Sequence, residues 1–115
     1  MANTFKNAMS ENISDSSAAT VFTVPTGNAS RAVLIGVQLS NTGSSEIKAT
    51  VILYDHSASP NDITLVNQIP IPAYSMVSVL AGDKIILEEQ DAVKMLSNTA
   101  STLNGFISYL LVDST

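Results

Sequence analysis

The chain has 115 residues, a formal net charge of −5, one histidine and no cysteine. That length suits one domain with a single core, the missing thiols exclude disulfides, thiolate zinc sites and cysteine nucleophiles, and five basic residues against ten acidic ones argue against a surface built to neutralise nucleic-acid phosphates. Charged residues make up 13% of the chain and hydrophobic residues 45%, against roughly 25% charge in ordinary soluble domains, so Ser, Thr and Asn carry the polarity and the surface is cheap to desolvate against other protein.

In chain order, residues 1–10 lack the apolar centre of a signal peptide, and no stretch approaches the roughly 18 apolar residues of a membrane helix. A soluble protein made in the cytoplasm is expected. Residues 10–18 are rich in Ser, Asn and Asp. They read as a linker, so residues 1–18 are predicted to form an extended N-terminal arm and linker ahead of a domain over 19–115. Phe5 and Met9 are the arm's sizeable apolar anchors. Such an arm either frays or adds a strand to a neighbour's sheet edge.

From residue 19 onward the pattern is period-2 alternation with β-branched residues, punctuated by Gly, Pro, Asn, Asp and Ser. Residues 19–24 predict a strand that ends at Pro25. In residues 31–40, Val33, Ile35, Val37 and Leu39 fall on one face, followed by a turn over 41–45. Residues 46–55 repeat the signal, with Ile47, Ala49, Val51 and Leu53 opposite Lys48, Thr50, Ile52 and Tyr54. These two runs predict a hairpin. A strand over 63–69 leads to Pro70 and Pro72, which donate nothing to a ladder and place the segment at a sheet edge or a crossing. Strands over 74–80, 84–87, 92–96 and 105–112 follow, with Gly82 and Asp83 as one of the turns. The sum is about eight strands and no helix: an all-β, two-sheet antiparallel sandwich of jelly-roll or immunoglobulin-like topology.

The last strand is apolar on both faces, Phe106, Leu110 and Val112 on one and Ile107, Tyr109 and Leu111 on the other. Either a loop or the arm covers its second face, or that face is a subunit contact. Phe5, Met9, Ile107, Tyr109 and Leu111 are the expected interface residues.

Chemistry is thinly supplied. His56 lies between Asp55 and Ser57, but neighbours on an extended chain point to opposite faces and do not converge as a triad. Asp83, Glu88, Glu89 and Asp91 cluster without the ligand alternation or central Gly of a calcium loop, and read as turn solvation. No phosphate-binding glycine pattern and no hydrolase motif occurs. No catalytic residue, metal site or cofactor is expected, and the protein reads as no enzyme.

Several segments, taken in order, resemble a family of small virion structural proteins of tailed bacteriophages. They are Thr4-Phe5-Lys6-Asn7-Ala8, Val21-Phe22-Thr23-Val24-Pro25, residues 33–41, Ile69-Pro70-Ile71-Pro72-Ala73, residues 82–87, and Asp91-Ala92-Val93-Lys94 with the final apolar strand. Tyr74 departs from the pattern, which has Gly after Pro72-Ala73. The resemblance implies a β-sandwich in the virion, made in the host bacterial cytoplasm and present in many copies. It implies a capsid decoration or cement protein on the major capsid protein, or a neck or tail component. Its partners are then its own copies, as a trimer or ring, and other virion proteins, with no nucleic acid and no membrane. A carbohydrate- or receptor-binding module is the alternative from a different class. It is poorly equipped, with three Tyr, three Phe and no Trp.

Overall fold

The computed structural model describes residues 2–11, 13, 18–26, 30–56, 62–99 and 102–113, apart from the side chains of residues 2, 3, 81–83 and 113. Among these residues there are eight strands: β1 (Ala2–Ser10), β2 (Ala19–Thr23), β3 (Arg31–Asn41), β4 (Ile47–Tyr54), β5 (Asp62–Ile71), β6 (Met76–Leu87), β7 (Ala92–Ser97) and β8 (Leu103–Asp113). Two four-stranded sheets form, in the orders β1-β8-β3-β6 and β2-β7-β4-β5, with every pair antiparallel. That is the jelly-roll order and not the immunoglobulin one. Among the described residues no helix is long and apolar enough to cross a membrane.

The strand count matches expectation through two offsetting differences. The segment read as an arm is extended, and it forms β1, the edge strand beside β8 of its own chain. The two strands expected over 74–80 and 84–87 are one, β6. Its ladder with β3 jumps from Ile85 to Ala81 while β3 moves only from Leu34 to Gly36, so residues around Gly82 bulge out of a continuous strand instead of reversing it.

The predicted hairpin of β3 with β4 does not form. β3 pairs with β6 and β8, whereas β4 pairs with β5 and β7 in the opposite sheet. Both strands bury one face in the same core from opposite sides, which alternation alone reports identically for paired and for facing strands. β5, with Pro70 inside it, is an edge strand, as a residue without an amide hydrogen requires.

One bulge resets which residues face inward. β3 advances from Leu34 to Gly36 while β8 advances only from Tyr109 to Ser108, so Ile35 is an extra residue and the alternation changes phase there. Ala32, Leu34, Val37 and Leu39 are buried, while Val33 is half-buried and Ile35 exposed. The four residues read as one face are thereby split between two. β4 needs no such repair, and Ile47, Ala49 and Val51 are buried as its alternation predicts.

Between the sheets lie Phe22, Leu34, Val37, Leu39, Val51, Ile71, Val93, Met95, Leu103 and Ile107, each large side chain contributing about 1.5–3 kcal/mol by leaving water. Ile13 joins them, with its amide donating to the Leu103 carbonyl at 2.9 Å. The N-terminal segment is therefore anchored by Ile13, not by Phe5 or Met9. Gly105 makes the room: a Cβ there would collide with Met95 Sδ and lie 3.2 Å from Ile13 Cδ1.

Where the chain leaves one sheet for the other, a single buried amide joins the crossings. Asn41 Nδ2 donates to the carbonyls of Ser45 (2.8 Å), Ile71 (3.1 Å) and Pro72 (3.2 Å), and its Oδ1 accepts from the Gly43 amide at 2.9 Å. Its backbone amide donates to the Ser75 carbonyl at 2.8 Å. Asn41→Ala leaves the buried Ile71 carbonyl, two part-buried carbonyls and the Gly43 amide without this partner, and a loss of about 2–4 kcal/mol in urea-unfolding free energy is expected.

Candidate assembly surface

Within the acidic cluster, Asp91 fastens two segments of the chain. Its two carboxylate oxygens accept backbone amides from His56 (3.0 Å) and Glu88 (2.9 Å), tying the segment after β4 to the β6–β7 turn. Among the described residues no group of three or more His, Asp or Glu side chains is placed to hold a metal ion. The Asp83 side chain and Ser57 lie outside the described residues. His56 is exposed, and its ring centroid stands 6.2 Å from that of Tyr54.

The two outer faces of the sandwich differ in chemistry. On the β2-β7-β4-β5 sheet, Lys94 Nζ pairs with Asp62 Oδ1 at 3.2 Å and lies 4.8 Å from the Tyr54 ring centroid. In the register Thr20, Lys94, Ile52 and Thr64 form one row, with Ile52 half-buried, so this face is mainly polar. On the β1-β8-β3-β6 sheet, the register aligns Phe5, Leu110, Val33 and Ile86 in one row across all four strands. Phe5 is 77% and Ile86 66% exposed, and the two between them are half-buried. Four pairs further along, on the same face, Met9 stands beside Phe106. Between these rows, the small residues Asn7, Ser108 and Gly36 align and leave a shallow depression bordered by Phe5 and Ile35. Most of the described exposed large hydrophobic residues lie on this face, a concentration characteristic of protein contact surfaces.

The five expected interface residues separate into two groups. Phe5 and Met9 project outward, Met9 at 65% exposure. Ile107 and Tyr109 are buried, with 1% and 8% exposure, and Leu111 packs half-buried against the core. The Tyr109 ring tilts against Phe22 with centroids 4.1 Å apart. The outward apolar residues of β8 are Phe106, Leu110 and Val112. Strand alternation gives two candidate faces and no means of choosing between them, whereas sheet pairing turns Ile107 into the buried cluster that also holds Met95 and Leu103. Ile86 and Val33 were not anticipated as surface partners, because only the ladder brings β6 and β1 into one row.

No protein-family model and no curated protein matches the chain. Four solved chains are similar in structure. One belongs to the Bacillus endospore appendages, described as a novel family of disulfide-linked pili. It has a TM-score of 0.57 and 15% identity, over 98% of this chain and 89% of that one. The likeness establishes a shared fold.

Two outcomes check the assignment of faces. Ile107→Ala is expected to cost about 2–5 kcal/mol of stability by opening a core cavity, and Phe5→Ala less than about 0.5 kcal/mol, both read by urea unfolding. Burial also pushes the Tyr109 hydroxyl above its ordinary value of 10.0. The folded chain then holds that proton more tightly than the unfolded chain. The associated stability is complete below the unfolded value and declines as pH rises through the folded one. Between pH 9 and 11, Tyr109→Phe is expected to lose less stability than the wild type.

Proposed function

We propose that this chain is a non-enzymatic structural subunit that works in many copies, on a bacteriophage particle. The observation that carries the reading is the division of its outer surface, one sheet face mainly polar and the other crossed by the apolar row Phe5, Leu110, Val33 and Ile86. A monomer gains nothing from exposing such a row. A subunit repeated on a lattice gains a contact that multiplies through high effective concentration. The solved chain of the same fold comes from pili, which supports self-assembly as a use of this architecture. The ordered segments that resemble tailed-phage structural proteins support the particle, with a capsid decoration or cement protein bound to the major capsid protein as the first position and a neck or tail component as the second.

A fibre of repeated copies is the other reading that the pilus likeness favours. With no cysteine in the chain, such a fibre has no disulfides of its own and would hold together by packing and strand contacts. Mass spectrometry of purified particles from the source phage is expected to recover the protein in many copies per particle, and electron microscopy to place it on the shell or at the neck or tail. Its absence from particles, with fibres formed by the purified chain, would overturn the particle reading in favour of the fibre.

A further inference from the structure

We infer that the outer edge of β1, which pairs with no strand among the described residues, is the contact through which one copy pairs with a second copy, antiparallel and centred on Asn7. This deepens the reading of the chain as a self-assembling subunit and rests on it. A sheet edge offers unpaired N–H and C=O groups to any extended strand, and folded proteins blunt most of their edges. Three of the four edges here are blunted. β2 has five residues and a register shift between Thr20 and Phe22. β5 carries Pro70, a positive φ of 52° at Gln68 and two register shifts, and β6 has two shifts against β3. β1 alone runs nine residues against β8 with no shift and no proline, so its outer edge is a regular row of hydrogen-bonding groups.

The side chains choose both occupant and register. Directly opposed residues in a continuous sheet point to the same side, so outward Phe5, Asn7 and Met9 must meet outward residues of the partner. Centring the pair on Lys6 would set two ammonium groups opposite each other, which is unfavourable. Centring it on Phe5 leaves Met9 opposite nothing within the strand. Centring it on Asn7 places each Phe5 against the other copy's Met9, Lys6 against Ala8 and Thr4 against Ser10. The two most exposed apolar side chains of the strand then cover one another, sulfur beside aromatic ring, and no like charges oppose. The product is one eight-stranded sheet in which the apolar row of each copy continues into Met9 and Phe106 of the other.

The cysteine-free chain makes the test direct. Under mild oxidation, a thiol introduced by Asn7→Cys meets only its counterpart in another copy. Opposed Cβ atoms about 4.5–5.5 Å apart are within a small adjustment of disulfide geometry. Asn7→Cys is expected to form a covalent dimer at least about tenfold faster than Lys6→Cys, whose thiol is opposed by Ala8, or Thr64→Cys on the polar sheet. A mixture of Phe5→Cys and Met9→Cys chains is expected to cross-link faster than either alone. β-sheet circular dichroism matching the wild type establishes that each variant is folded. Cross-linking of Asn7→Cys no faster than Thr64→Cys, in a chain that still sediments as an oligomer, would overturn the β1 contact and leave the subunit reading standing. A chain that sediments as a monomer at every concentration would overturn both.

Discussion

A jelly roll sends the chain back and forth between its two sheets, and each crossing must satisfy its backbone polar groups away from any ladder. Here Asn41 answers that constraint where the β3–β4 and β5–β6 connections meet. A buried side chain with one acceptor and two donor hydrogens serves carbonyls from both connections and the Gly43 amide. Apolar packing in that position would remove this partner from the Ser45, Ile71 and Pro72 carbonyls, and the cost is greatest at Ile71, whose bond is buried. Asp91 has the same duty beside the β6–β7 turn, where it accepts amides from His56 and Glu88. The two buried polar side chains with the clearest bonding therefore serve as turn fasteners, and their chemistry is spent on architecture.

With the connections secured, the surfaces follow from phase. The extra residue at Ile35 shifts β3 by one step, so Val33 joins the outer row that Leu110, Phe5 and Ile86 complete. Without that bulge, the whole strand would present a single alternation, and either Val33 or Val37 would change sides. The bulge thus couples core and exterior: it keeps Leu34 and Val37 inside while placing apolar side chains outside. On the opposite sheet, Lys94, Asp62 and Tyr54 hold a solvated cluster. One molecule therefore has a face suited to water and a face suited to protein, and β1 borders the second of these.

β1 is bound to its own domain in an uneven way. Its ladder with β8 is regular along nine residues, yet Ala8 is its one side chain packed against the core among those described, and Ile13 supplies the anchor further along. Backbone hydrogen bonds hold the strand, and its large side chains are left for the outside. An edge strand built this way changes the exterior of a sandwich with little effect on its core.

The alternating sequence by itself determined the class. Period-2 patterning across β4, the proline that suits β5 to an edge, and the missing thiols are local facts, and they determined an all-β sandwich without disulfides. It also marked β8 as apolar on both faces. Partners were another matter, because alternation records burial without recording what does the burying. Only the tertiary structure set β3 and β4 in opposite sheets, merged the two halves of β6, drew Ile13 into the core and turned Ile107, Tyr109 and Leu111 inward. Each of these depends on long-range ladder register, a relation between residues far apart in the chain to which no local pattern responds.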